Sequence, residues 1–347
     1  MKKVGYYFFK CWLGAGLLYY FSKIKIYGLE KIPKNKPVLF LANHQNALLD
    51  ALLVAIFCKG KPYYLTRASA FTNPLVTSLL NFLQMIPIYR IRDGIDKLGQ
   101  NEAIFNQCAQ LLKNNEHILI FPEGSHNIKK RIRPLSKGFT RILFRAMEKQ
   151  PHLDIRLLPI GINYNRAEGF PDSAAVYFDN DIPLLKVYDE NNLSESIKRI
   201  KDVVYESLRK VTTHIENEED YDEILAKLNS MKVNYLKPSS VNTVIGTIEA
   251  NEVELNNKSL FSKILKTLFT ILNYPFIVPW KLFILPKIKE IEFISTFRFM
   301  YSLIFYPVLY LIVFFVLGNY IGHDLTAILL LGHILFNRLY IRTYPFT

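Results

Sequence analysis

The chain has 347 residues, a net charge of +13, 50% hydrophobic residues and 14% aromatic ones. That aromatic content excludes a largely disordered chain, and the length suffices for one large domain or two ordinary ones. The lysines flank apolar segments, and no RNA-recognition, paired-zinc or basic-zipper pattern occurs, so the charge points to a phospholipid membrane and away from nucleic acid. Cys11, Cys58 and Cys108 are far apart with no C-x-x-C or Cys/His spacing, so neither disulfides nor a metal site is expected.

The run 4–21 is apolar and aromatic, with Lys10 inside it and no clear small-residue cleavage site. It suits an interfacial helix, so residues 1–30 are expected to form an N-terminal amphipathic membrane segment. Residues 22–37 read as a basic, proline-punctuated lead carrying Lys23, Lys25, Lys31, Lys34 and Lys36. Beyond it the pattern alternates. Strands are expected at 38–41, 63–66, 85–89, 118–121, 156–162 and 175–178, and helices at 47–57, 74–82, 98–113, 138–147 and 194–211. This predicts an α/β layer architecture with a largely buried sheet, spanning 31–215.

Residues 216–260 open with Glu-Asn-Glu-Glu-Asp, continue through one amphipathic stretch at 221–231 and end Ser/Asn/Thr-rich; they read as a surface helix and a linker. In the remaining part, 261–347, the run 299–323 carries no Asp, Glu, Lys or Arg, long enough to span a bilayer. With 325–337 it predicts a transmembrane hairpin over 299–337, turning at 318–322. Lys287, Lys289 and Arg298 precede it and Arg338 and Arg342 follow it, which puts both ends in the cytoplasm. The earlier run 268–285 is broken by Pro275, Pro279 and Lys281 and reads as re-entrant or interfacial.

Two polar turns carry the chemistry. His44 and Asp50 follow the first strand, and Phe121-Pro122-Glu123-Gly124-Ser125 follows the fourth. A histidine titrates near neutrality and can take a proton, while a carboxylate fixes its tautomer. A simple helix cap would use the same residue types at the first turn. Arg67 and Arg90 each end a strand, and Pro159 lies inside the late strand Leu157–Ile162. No G-x-S-x-G elbow, P-loop, H-E-x-x-H or G-x-G-x-x-G occurs.

Over residues 31–165 these blocks, in this order, resemble the glycerolipid O-acyltransferases, which acylate glycerol 3-phosphate and lysophosphatidate. The Phe121–Gly124 block is the most characteristic. The resemblance implies a mixed sheet with flanking helices of the glycerol-3-phosphate acyltransferase type, joined to a C-terminal apolar helical membrane region. It implies His44 as general base with Asp50 as its partner. Arg90, Glu123, Gly124, Ser125, Arg67 and Lys137 would bind the acceptor and its phosphate, and Pro159 would belong to the acyl side. The expected activity is acyl transfer from acyl-coenzyme A or acyl carrier protein to glycerol 3-phosphate first, or to 1-acylglycerol 3-phosphate, at the cytoplasmic face. No cofactor or metal is needed, because the acceptor alcohol attacks directly and a thiol leaves readily.

The sequence departs from the family pattern in places. Five residues separate His44 from Asp50 where four are usual, as in yeast-type glycerol-3-phosphate acyltransferases. The glycine that opens the second block is replaced near Gln84, and its aromatic by Pro87. Ser125-His126 stands where Thr-Arg is common, leaving Lys129, Lys130, Arg131 or Arg133 to supply a cation. The alternative is a non-catalytic lipid-binding or scaffold protein that keeps the fold; a transporter has too few convincing spans.

Overall fold

The computed structural model describes residues 2–58, 60–90, 94–247 and 260–343. Its centre is an eight-stranded mixed sheet: β1 (Lys23–Tyr27), β2 (Val38–Ala42), β3 (Tyr63–Arg67), β4 (Met85–Ile88), β5 (His117–Ile120), β6 (Arg156–Tyr164), β7 (Ser173–Phe178) and β8 (Ile182–Pro183). The order is β1-β7-β6-β2-β5-β3-β4, with β8 on β6. Pairing is parallel from β6 through β2, β5 and β3 to β4 and between β1 and β7; β6 runs antiparallel to β7 and β8. Parallel neighbours need crossover segments, and the helices supply them: α2 (Ala47–Phe57), α3 (Pro74–Phe82), α4 (Asn101–Lys113) and α5 (Gly138–Lys149).

All five residues of β2 are buried, as expected for a strand covered on both faces. One face packs Leu39, Leu41, Ile118 and Leu157 against α4, α5 and α6 (Leu193–Val211). The apolar stripe of α6, Ile200, Val204 and Leu208, recurs every four residues, and Asn192 caps its start by accepting from the Glu195 N–H. The other face packs Val38, Phe40, Leu119 and Leu158 against α2 and α1 (Lys2–Tyr20). At Gly161 a Cβ would lie 2.0 Å from the Val211 carbonyl oxygen, so the close approach of β6 to the end of α6 demands glycine there.

Residues 22–37, read as a basic, proline-punctuated lead, contain a strand of their own, β1. Lys-Ile-Lys-Ile alternates with period two, and Ile24 and Ile26 pack on the core while β1 pairs with β7. Its lysines conceal a strand that needs only one buried face. Residues 238–247, read as linker, form α8 (Pro238–Thr247), which packs with α7 (Tyr221–Ser230) around Tyr221, Leu228, Tyr235 and Val241. The rest of that expected linker, residues 248–259, lies outside the described residues.

α9 (Leu260–Leu272) and α10 (Tyr274–Pro279) break at Asn273, and the segments 263–272 and 274–287 meet at 79°. Then come α11 (Ile294–Ile321) and α12 (His323–Thr343), both long and apolar enough to cross a membrane. They meet at Gly322, whose positive φ of 88° turns the chain. α12 is longer than its uncharged stretch because Arg338 lies within it, donating to the Tyr19 and Phe21 carbonyls.

Candidate active site

The C-terminal ends of parallel strands gather loops at one edge of a sheet. His44 follows β2, Arg67 ends β3, Arg90 follows β4 and Glu123 follows β5, so the parallel pairing brings all four to the same edge. β2 and β5 are neighbours, hence the two polar turns touch.

The first turn is built around Asp50, which is fully buried. Its Oδ2 lies 2.8 Å from His44 Nδ1 and accepts the Gln45 N–H at 2.8 Å and the Asn46 N–H at 2.7 Å. Its Oδ1 accepts the Tyr164 hydroxyl at 2.7 Å. A buried carboxylate costs little only when its lone pairs are engaged, and these are. With the carboxylate on Nδ1, the imidazole carries its proton there and directs the Nε2 lone pair outward. The ring stacks on Phe121 at 3.9 Å and meets His126 edge-on at 5.5 Å. Within the turn between His44 and Asp50, Ala47 has a φ of 39°, unusual for alanine.

The second turn grips the first. Glu123 Oε1 accepts the His44 N–H at 3.1 Å, and the Asn127 N–H donates to the His44 carbonyl at 2.9 Å. Glu123 Oε2 takes Arg133 Nε at 2.7 Å. The Glu123 side chain is 2% exposed with both oxygens engaged, so it holds the turn together. Burial pushes its pKa up to about 7 against the opposing pull of Arg133 and the His44 N–H. Gly124 has φ 74° and closes the turn with its N–H on the Phe121 carbonyl. Arg90 Nη1 donates to the Gly124 carbonyl at 3.0 Å, while Arg133 Nη1 donates to Ser125 Oγ at 2.6 Å and Nη2 to the Ser125 carbonyl. Two guanidinium groups therefore bracket residues 124–125.

The other expected residues distribute as follows. Lys137 is exposed at the start of α5, beside Ser136, whose N–H bonds the Pro122 carbonyl. Arg67 sits at the far end of the edge, in register with Ile88. Pro159 is not at the edge: it pairs with Leu41 in the buried sheet, on the face opposite Leu158 and Ile160. Of the four candidate substitute cations only Arg133 joins the site. Lys129 and Arg131 pair with Glu218. Lys130 Nζ turns inward to the Tyr164 and Asn165 carbonyls at 2.7 and 3.1 Å, and burial brings its pKa down to about 8.

Sequence reasoning gave Tyr164 and Asn46 no role and named His126 only as a departure from the family pattern. Asn46 donates from its side chain to the Ala167 carbonyl at 2.7 Å, and the same carbonyl accepts the Ser295 hydroxyl. His126 Nε2 lies 2.6 Å from Glu290 Oε2, and Glu292 is near enough for the three to form the one cluster of possible metal ligands among the described residues. That imidazole–carboxylate hydrogen bond accounts for the pairing without an ion.

The family model described as Acyltransferase matches residues 23–163. The chain is 27% identical over 139 residues to 1-acyl-sn-glycerol-3-phosphate acyltransferase LPAT1, chloroplastic, of Arabidopsis thaliana, covering 40% of this chain and 36% of that protein. It is 25% identical over 115 residues to Glycerol-3-phosphate O-acyltransferase 1 of Saccharomyces cerevisiae, covering 32% of this chain and 15% of that protein. The chain thus spans well under half the length of either relative. Among solved structures it is similar to the 1-acyl-sn-glycerophosphate (LPA) acyltransferase PlsC from Thermotoga maritima, with TM-score 0.42 and 17% identity, over 60% of this chain and 82% of that one.

Proposed function

We propose that this chain is a membrane-bound O-acyltransferase of phospholipid synthesis, a reading supported by the match of residues 23–163 to the Acyltransferase family model. It moves a fatty acyl group from a thioester of coenzyme A or acyl carrier protein to a hydroxyl of glycerol 3-phosphate, with 1-acylglycerol 3-phosphate as the second acceptor. The observation that carries this reading is the His44 Nδ1–Asp50 contact at 2.8 Å, made by a carboxylate whose other partners leave it no freedom to turn.

His44 Nε2 takes the acceptor hydroxyl proton as that oxygen attacks the thioester carbonyl. Asp50 stabilises the imidazolium that forms. Collapse of the tetrahedral adduct breaks the C–S bond, and the imidazolium returns its proton to the departing thiolate. Carbon, sulfur and proton balance without a protein nucleophile. Arg90 and Arg133 bind the acceptor phosphate beside the 124–125 turn, since a guanidinium fork matches phosphate oxygens. Glu123 acts as a positioning residue through the His44 main chain and Arg133. Arg67 and Lys137 add positive charge around the same edge, and Pro159 supports the strand on the acyl side.

The longer His44–Asp50 spacing favours glycerol 3-phosphate as acceptor. The cations flanking α11 and α12 support a reacting edge at the cytoplasmic face, from which the product would leave into the leaflet. The test offers detergent-solubilised protein palmitoyl-coenzyme A with each acceptor separately and follows free thiol. Faster turnover with glycerol 3-phosphate is expected. Turnover with lysophosphatidate alone would overturn the acceptor choice, and thiol release from neither coenzyme A nor acyl carrier protein thioesters would overturn the activity.

A further inference from the structure

A cavity of about 760 Å³ lies away from the reacting edge. α1, the bent α9–α10 segment, α11, α12 and the loop 166–170 form its walls, and His44, Asp50, Arg90 and Glu123 are not among its lining residues. Its volume is within the roughly 300–1,000 Å³ of ordinary ligand pockets. Two of its walls are the helices long enough to cross a bilayer, so it opens among lipid-facing surfaces.

The lining is of two kinds. Phe276, Phe299 and Trp280 give it an aromatic interior suited to an acyl chain. Against this stand four cations, Arg166, Lys266, Lys281 and Arg298, and a single carboxylate, Glu168. Two of the cations converge on one loop. Arg298 donates to the Glu168 and Gly169 carbonyls and lies over the Phe170 and Trp280 rings at 5.8 and 5.7 Å. Arg166 Nε comes within 3.2 Å of where a Cβ on Gly169 would stand. A neutral lipid would leave this charge unanswered, whereas an acyl chain with an anionic head answers both halves.

We infer that this cavity is a lipid-binding site, separate from the reacting centre, that draws an anionic glycerophospholipid from the surrounding leaflet. The chain enters among Phe276, Phe299 and Trp280, and the phosphate meets Arg298 and Arg166, with the exposed Lys266 and Lys281 of the lining supplying the positive field that draws an anionic head in. The loop that holds the phosphate is the one whose Ala167 carbonyl receives Asn46 and Ser295, so the lipid also seats the membrane helices against the turn after β2.

The chain's two tryptophans, Trp12 and Trp280, both line the cavity, which makes intrinsic fluorescence a local reporter. Full-length protein in phosphatidylcholine vesicles is titrated with brominated-chain phosphatidate or, separately, brominated-chain phosphatidylcholine at constant total lipid. Half-maximal quenching is expected at a mole fraction at least about fivefold lower for phosphatidate, the preference that one added lysine or arginine contact confers on anionic lipid. Ser302→Phe, which fills the cavity and leaves every charge in place, abolishes that preference. Lys266→Glu combined with Lys281→Glu, both at exposed positions, abolishes it without disturbing packing. Coincident curves for the two lipids in the parent protein overturn the inference, as does a preference that survives both variants. The readout involves no turnover, so it stands or falls apart from the acyltransferase reading.

Discussion

The edge of the sheet and the membrane helices are built on opposite terms. At the edge, Asp50 has four partners within 2.8 Å, and Glu123 links the His44 main chain to Arg133. Around α9 to α12 the contacts are mostly rings, as in the Phe276–Tyr306 stack at 3.6 Å and the Phe269–Tyr340 stack at 3.9 Å, with one buried amide pair, Asn273–Asn337. Directional bonds fix atoms to fractions of an ångström, which proton transfer requires. Ring contacts tolerate sliding, which suits helices that meet lipid. The same kind of substitution should therefore cost much at one place and little at the other.

The largest effect is expected at His44. His44→Ala removes the proposed base and should lower thiol release by about 10²–10⁴-fold, with membrane association and helical circular dichroism unchanged. Substantial residual turnover would move the base elsewhere. Tyr164→Phe strips one partner from a fully buried carboxylate, so a loss of about 1–3 kcal/mol in stability is expected. It should also lower kcat with KM for the acceptor unchanged, because Tyr164 acts through Asp50 and touches no substrate.

Glu123 sharpens the contrast through pH. Its folded pKa, about 7, lies above the ordinary 4.5, so between those values the folded protein keeps a proton that the unfolded chain releases. Stability contributed by this group is therefore full below about 4.5, falls as pH rises, and is flat again above about 7. The whole swing is on the order of 3 kcal/mol. Glu123→Gln should flatten that part of the thermal midpoint against pH; an unchanged profile would assign the slope to other groups.

The smallest effect is expected in the membrane part. Replacing Asn273 and Asn337 together by Leu removes a reciprocal pair and should change stability by under about 1 kcal/mol, since polar contacts between membrane helices are worth about 0.6 kcal/mol on average. Asn273→Leu alone should cost more, because the Asn337 amide then stays buried without its Asn273 partner, while the Tyr306 hydroxyl loses Asn273 in both variants. A double replacement as damaging as the single one would erase the distinction between the two regions.

What could be read in advance follows the range of each interaction. His44 and Asp50 stand six positions apart, so strand, turn and helix signals bring them together locally. Tyr164 reaches Asp50 across 114 residues, through a β2–β6 pairing that no local pattern announces. Among Lys129, Lys130, Arg131 and Arg133 the sequence offers four equal cations; Lys130 turns inward to the Tyr164 carbonyl, with its Nζ over the Tyr235 ring, and Glu218 takes two more. α8 was illegible because its Ser/Asn/Thr-rich run has little helical periodicity of its own and is held by neighbours, Asn242 bonding the Arg209 and Thr212 carbonyls. β1 failed the other way, its period correct but its lysines too conspicuous.

One bond bears on how the chain matures. Arg338 caps the carbonyls at the end of α1, donating to Phe21 at 2.9 Å from 317 residues further along. At ordinary rates of synthesis that partner is made on the order of half a minute after the helix it completes. Throughout that interval the end of α1 must rest on lipid headgroups, water or a chaperone. α1 is thus made well before it is finished, and a ribosome stalled before α12 leaves behind a chain in which the end of α1 still offers an open grip to quality control.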